Sequence, residues 1–172
     1  AMQAEIERTG IRDIDYDVPY TTLHAGVIKG GTALNIVPDA CEMLFEIRNI
    51  AEDNPKTFMD QFFERAETIA ARERHHFPES DIRIEIFNEY PGLGTDATGA
   101  ISRRAIALSG QPNRIKVAFG TEGGLFQEFL QTTAVVCGPG SMEQGHKPDE
   151  FVSVSQMEAC RAMLARVVDG MA

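Results

Sequence analysis

Positive charge is scarce in this chain of 172 residues. Sixteen lysines and arginines face 26 aspartates and glutamates, for a formal net charge of −10. Binding a polyanion takes a basic footprint, so this balance argues against nucleic acid as a partner and against adsorption to an anionic membrane. An acidic surplus of this kind is ordinarily a solubility device. Cysteine is scarce too. Cys41, Cys137 and Cys160 are odd in number and widely spaced, showing neither a disulfide framework nor a C-x-x-C metal knuckle. Each has apolar neighbours and reads as a small buried hydrophobe, a pattern that suits a reducing compartment. No run is long and apolar enough to cross a bilayer and no secretory leader opens the chain, so the expected location is the cytoplasm. Internal repeats and low-complexity tracts are also absent.

What is present is the composition of a folded protein, 43% apolar and 24% charged. The length fits one ordinary domain or two small units. Ala1-Met2 reads as a residual alanine ahead of an initiator methionine, and residues 3–9 as the end of a helix capped by Gly10. A domain rarely begins on the last two turns of a helix, so an upstream truncation is expected.

Further along, a β-prone run over residues 21–28 leads into the turn Lys29-Gly30-Gly31. After Pro38-Asp39, Cys41, Met43, Phe45 and Ile47 alternate with Glu42, Glu46 and Arg48, a half-buried strand in which Leu44 is the exception. Asn54-Pro55 opens a helix whose apolar stripe is Phe58, Phe62, Ile69 and nearby alanines. Ile82, Ile84 and Ile86 alternate with Arg83 and Glu85 and predict a third strand. This β-β-α-β order is most of a β-α-β-β-α-β sandwich whose first strand would lie upstream.

The Pro/Gly cluster Tyr90-Pro91-Gly92-Leu93-Gly94 is the best boundary in the chain, dividing it into residues 1–92 and 93–172. Beyond it the pattern predicts a helix over 96–108, a strand over 115–119, a short helix near 125–129 and a buried run over 134–137. Strands alternating with helices predict a parallel or mixed sheet covered on both faces. Ser153-Val154-Ser155-Gln156 signals the start of a last helix with the stripe Met157, Cys160, Leu164, Val167 and Met171.

Three clusters carry unusual residue choices. In the first, residues 30–38, two glycines allow a turn or close approach, and Asn35 offers donor and acceptor in an apolar stretch. A hairpin connection in which Asn35 satisfies local backbone is the plainer alternative. The second, Phe119-Gly120-Thr121-Glu122-Gly123-Gly124, lies at a strand-to-helix turn, where exposed amides favour anions. Gly120 and Thr121 suit a carboxylate or oxyanion there, although such turns are common and Glu122 suits the helix dipole equally well. The third, residues 137–150, puts His146 in a Gly-permitted loop, with Asp149 or Glu150 as possible partners for its second ring nitrogen. A lone loop histidine is usually a surface residue, yet neutral imidazole is also the commonest nitrogen ligand of zinc. His75 and His76 end a charged helix, and His24 lies on a strand.

Taken in order, "GVIKGGTALNIVPDACEMLFEIR", "VAFGTEGGLFQ" and "VVCGPGSMEQGHKPDEFV" resemble the acetylornithine deacetylase family, within the larger group of co-catalytic zinc aminoacylases and carboxypeptidases. The similarity runs over nearly the whole chain. The resemblance implies α+β and α/β parts: a ferredoxin-like lid, or dimerisation, domain lacking its first strand over residues 1–92, then the C-terminal part of an α/β zinc-hydrolase catalytic domain over 93–172. It implies two zinc ions in the complete enzyme, with His146 the one ligand supplied here. It also implies substrate contacts at Asn35, Gly120 and Thr121, and Arg48 paired with the substrate carboxylate, for which a planar guanidinium is suited. Pairing of Arg48 with Glu46 or Glu42 on the sheet face is the alternative.

The implied activity is removal of an acetyl group from N-acetylornithine or a similar N-acyl amino acid, a step of arginine biosynthesis, by a homodimer joined through the lid. The chain departs from the family in lacking an H-x-D segment, an adjacent Glu-Glu pair and a further carboxylate ligand ahead of the lid. No catalytic residue is therefore assigned, and the chain alone is expected to be inactive. Two other readings remain: another acyl-amino-acid hydrolase, such as a succinyl-diaminopimelate desuccinylase, or a non-catalytic dimerisation and interaction module.

Overall fold

A computed structural model describes residues 2–145 and 147–171. The chain forms two compact units, one of Ala1–Gly92 with Lys116–Gly120, the other of Leu93–Ile115 with Thr121–Ala172. Helices and a small sheet are both present, the mixed composition expected.

The first unit opens with α1, Met2–Thr9, which buries Met2 and Ile6. Gly10 ends it by donating its amide to the Ile6 carbonyl at 2.8 Å. A side chain at Gly10 would meet that oxygen at 2.6 Å, so glycine is required by close approach. Strands β1, Thr22–Gly30, and β2, Cys41–Arg48, pair antiparallel. Their register passes from Ala25↔Phe45 to Val27↔Leu44, leaving Gly26 as an extra residue, a β-bulge. The bulge also accounts for Leu44: it sets Val27 opposite Leu44 as an apolar pair on the face that otherwise carries Glu46 and Arg48.

Helix α2, Pro55–Arg74, begins where the Asn54 side chain accepts the Lys56 amide at 3.0 Å and Pro55 fills the first turn. Its covered residues, Phe58, Phe62, Ala66 and Ala70, recur every fourth position. Phe62 stacks on Phe45 of β2, with centroids 4.5 Å apart and planes 16° from parallel. Ile69, expected in this stripe, is exposed instead. Past the helix, Arg74 bonds Glu67 at 2.9 Å, Asp81 at 2.8 Å and the Ser80 carbonyl at 3.0 Å. Those bonds draw Asp81 below the usual carboxylate range, Arg74 being the largest cause. At the other end, Thr21 is 0% exposed; its hydroxyl donates to Asp53 and accepts the Ile50 amide at 3.3 Å, so this buried polar group is satisfied.

The second unit holds α3, Ala100–Ser109, α4, Gly123–Leu130, and α5, Val154–Asp169. Gly110 ends α3 in the left-handed region at φ 72°, donating its amide to Ile106. Ser153 and Gln156 close a reciprocal capping box at the head of α5, as the sequence signals. Arg166 of α5 donates to the Leu108 carbonyl at 2.8 Å and 2.5 Å. The covered positions of α5 are Gln156, Cys160, Met163 and Val167; Met157, Leu164 and Met171 of the expected stripe are exposed. None of the described helices is long and apolar enough to cross a membrane.

Sheet is less extensive than the periodicity predicts. Among the described residues the only ladder is β1–β2, and residues 82–86, 115–119 and 134–137 are not strands. A strand exists only with a partner strand to take its amides and carbonyls, and among the described residues none of these runs is in a ladder. Their side chains show the consequence: Ile86, Ile115 and Val136 are exposed. The cysteines also differ from expectation, Cys41 and Cys137 being exposed and Cys160 half-buried. The chain exposes 13215 Å² in all. Two separately compact units of half its mass would expose only about 10,000 Å² together, so much apolar surface is uncovered within the units themselves.

Two stability predictions follow from these contacts. Phe62→Ala removes the stacked ring on Phe45 and is expected to cost about 2–3 kcal/mol, read as a lower urea midpoint. Ser153→Ala opens the α5 capping box and is expected to cost about 1 kcal/mol; a Gly at the same position should recover most of that loss.

Candidate functional site

Asn35 sits on the exposed loop between β1 and β2. Gly31 turns the chain into that loop at φ +75°, and the Ile36 amide donates to the Ala33 carbonyl at 3.2 Å. The loop carries Leu34, Ile36 and Val37 out into solvent, an unusual display of apolar side chains.

Arg48 ends β2, opposite Thr22. Its Nε donates to Glu46 Oε1 at 2.9 Å, the sheet-face pairing that competes with a role in substrate binding. Glu46 in turn lies 3.9 Å from His24 Nδ1, its cross-strand neighbour. The other edge of the guanidinium turns elsewhere, with Nη1 at 3.5 Å from the Ala118 carbonyl. Arg48 is half exposed, so this ion pair contributes little stability, about 0–1 kcal/mol. An incoming carboxylate therefore competes with a weak partner.

Gly120 lies against the ring of Tyr90: a side chain there would meet Cε2 at 2.5 Å and Cδ2 at 2.8 Å. Thr121 caps the first turn of α4, its hydroxyl accepting the Gly123 amide at 3.2 Å. Glu122 holds the N-cap position in helical conformation without a side-chain cap bond. Gly123 is buried, and a Cβ there would sit 2.9 Å from Leu93 Cδ2, which explains the glycine at that position of the motif.

The last candidate loop is shaped by two left-handed residues, Gly140 at φ 99° and Asp149 at φ 60°. Gln144 and Gly145 donate their amides to the Ser141 carbonyl at 2.9 and 3.1 Å, and the Gln156 side chain donates to Gln144 Oε1 at 3.0 Å. His146 lies outside the described residues. Glu150 donates its amide to Lys147 at 3.2 Å. Among the described residues no three His, Cys, Asp or Glu side chains are grouped to hold a metal ion. A catalytic zinc needs about three protein ligands, so the described residues do not fit one.

Arg48 and Gly120 thus belong to the first unit, with Ala118 linking their surroundings. Asn35 shares that unit on its hairpin loop, whereas Thr121 belongs to the second. Two groups were not singled out in the sequence. Tyr90, read only as part of a boundary, packs on Gly120. Lys116 sits in a run read as strand, yet its ammonium bonds Asp13 and lies 3.4 Å from Glu52 and 5.3 Å from the centre of the Tyr16 ring. The Lys116 hydrogen bond is the largest influence on Asp13, holding its carboxyl below the usual range, and Asp13 reciprocally raises Lys116. Burial raises the Tyr16 phenol. The available signal was a lone lysine within an apolar stretch.

Comparison with known proteins adds the family. Residues 1–74 match the peptidase dimerisation domain of the M20 type. An acetylornithine deacetylase of Myxococcus xanthus is 33% identical over 156 residues, 91% of this chain and 40% of that protein. Those of Pasteurella multocida and Erwinia tasmaniensis are each 28% identical, covering 89% and 91% of this chain and 38% and 39% of theirs. The chain thus spans about two fifths of the length of the curated relatives it matches. Helices, a small antiparallel sheet and the ordered motifs agree with these matches: the chain carries an M20-type peptidase dimerisation domain and is a part-length relative of the acetylornithine deacetylases.

Proposed function

We propose that this chain is the part of an amide hydrolase that receives the amino-acid end of an N-acyl amino acid, with N-acetylornithine or a close relative as substrate. The observation that carries this reading is the similarity to acetylornithine deacetylases over about nine tenths of the chain, with all three motifs inside it. Arg48 takes the substrate carboxylate in place of Glu46, and a planar guanidinium does so through two parallel N–H bonds. Gly120, Thr121 and Asn35 are the further substrate-binding residues that the resemblance implies. The metal of the complete enzyme is zinc, two ions, toward which this chain contributes His146 alone. We propose that the chain by itself is inactive and binds zinc weakly.

We further propose that the first unit joins two copies of the chain. The match to a dimerisation domain supports this, as do the apolar cross-strand neighbours Ile28 and Met43, both exposed. The two-stranded sheet also keeps an unpaired outer edge on each strand, which is available for pairing.

The whole protein encoded by the gene is expected to release acetate from N-acetylornithine, to lose that activity with a chelator and to regain it with zinc. A preference for N-succinyl-diaminopimelate would replace the substrate named here. Acetate release by the purified 172-residue chain, lost with chelator, would overturn the proposed inactivity. In the whole protein, Arg48→Lys is expected to raise KM about 10- to 100-fold with a smaller change in kcat, the loss of a charge-assisted hydrogen bond to the ground state. Ile28→Asp is expected to weaken self-association at least tenfold by sedimentation; a wild-type chain that stays monomeric at high concentration would sink the dimer.

A further inference from the structure

The segment Lys116–Gly120 belongs to the first unit although the residues on both sides of it belong to the second. Something must hold so short a piece of chain there, since it pairs in no ladder. The following contacts contribute. The Lys116 ammonium, 29% exposed, bonds the Asp13 carboxylate, 11% exposed, and lies 3.4 Å from Glu52. The Tyr16 ring faces the same ammonium at 5.3 Å. Nearer the end of the segment, Arg48 approaches the Ala118 carbonyl at 3.5 Å, and Gly120 rests on Tyr90 with no room for a side chain.

These contacts differ in strength. The Arg48 bond is long and half exposed, and Tyr90 meets Gly120 only by packing. The Lys116 pair is the least exposed of the ion pairs described and has two carboxylates around one cation. Asp13 is itself held in place, because its backbone amide donates to the Pro19 carbonyl at 3.0 Å and its carboxylate accepts the Asp15 amide at 3.0 Å. Glu52 follows the buried Ile50, whose carbonyl accepts the Asp53 amide at 3.2 Å. The cation thus meets two loops, each fixed by its own backbone bonds.

We infer that Lys116 is a positioning residue: clamped by Asp13 and Glu52 over Tyr16, it pins the segment Lys116–Gly120 to the first unit and so fixes where Gly120 stands. The consequence for substrate rests on the function proposed above, in which Gly120 lies against the substrate. Lys116 touches no reacting atom and acts only through the backbone of the four residues that follow it.

The pin should have a pH signature set by the groups that face it, Asp13, Glu52, Tyr16 and Lys116. The Asp13 carboxyl lies lower in the folded chain than in the unfolded one, so its contribution is complete above about 3.9 and is lost as pH falls through the lower folded value. Lys116 lies higher when folded, so its contribution is complete below about 10.4 and is lost as pH rises through the higher folded value.

Backbone 15N order parameters of Ala118, Phe119 and Gly120 in the full 172-residue chain test this without any substrate. Lys116→Met keeps the stem and removes the charge; the order parameters of those three residues should fall from the rigid range, about 0.85, to below about 0.6 while those of β1 and β2 stay unchanged. Lys116→Arg should restore most of the loss. Unchanged order parameters in Lys116→Met would overturn the inference. If that variant does not fold, a pH series on the wild-type chain decides instead. Order at the three residues should fall selectively as acid protonates Asp13, and order that falls only together with that of β1 and β2 would overturn the pin. Introduced into the whole protein, Lys116→Met should raise KM for N-acetylornithine more than it lowers kcat. Loosened order with an unchanged KM would leave the pin standing and overturn the substrate role of Gly120.

Discussion

Backbone amides and carbonyls must be paired, and among the described residues only two strands pair with each other. The rest of the first unit is organised around that ladder. Ahead of the bulge at Gly26, Leu23 and Ala25 share a face with Ile47 and Phe45, the face that α2 meets through Phe62. The opposite face carries His24, Glu46 and Arg48, and it is there that the polar side chains collect. A regular strand without the bulge would place Val27 on the Phe45 face and Ile28 opposite it, exchanging the two at the end of the hairpin. One inserted glycine therefore decides which of the two shares the face of Phe45, and both are exposed there, beyond the reach of Phe62.

How much of this was legible in the sequence depended on how local the cause was. The α2 start was read from Asn54-Pro55, the α5 start from Ser153 and Gln156, and the α1 end from Gly10, because each is settled by atoms within a few residues. The runs at 82–86, 115–119 and 134–137 have the composition of strands, but strandedness depends on a distant partner that composition does not report. Helix faces erred by a smaller angle. On α5 the covered row runs through Gln156 and Met163 because Gln156 bonds Gln144 and Met163 meets Cys137, contacts that lie far away along the chain. The segment 116–120 was read with the second half because it follows the Pro/Gly boundary, whereas a long-range ion pair assigns it to the first unit.

Of the site, residue types were easier to read than their engagements. Arg48 was legible as a cation at a strand end, and so was its alternative, the pairing with Glu46 that the structure contains. That pairing excludes little, because a half-exposed ion pair contributes only about 0–1 kcal/mol. Glu46 is also shared, with His24 Nδ1 beside it at 3.9 Å.

Thr121 poses the opposite question, whether a residue already engaged as a helix cap has anything left for a ligand. A threonine hydroxyl has one donor and two acceptor sites. The Gly123 amide uses one acceptor, so the proton of the hydroxyl remains available to donate. The cap fixes the oxygen and leaves the proton to rotate about a held bond, which suits donation to an anion at the head of α4, where the first-turn amides of a helix already favour negative charge. Structural and ligand-binding readings of Thr121 are thus compatible at one atom, and at Arg48 the pairing with Glu46 likewise uses Nε alone of the five N–H donors of the guanidinium.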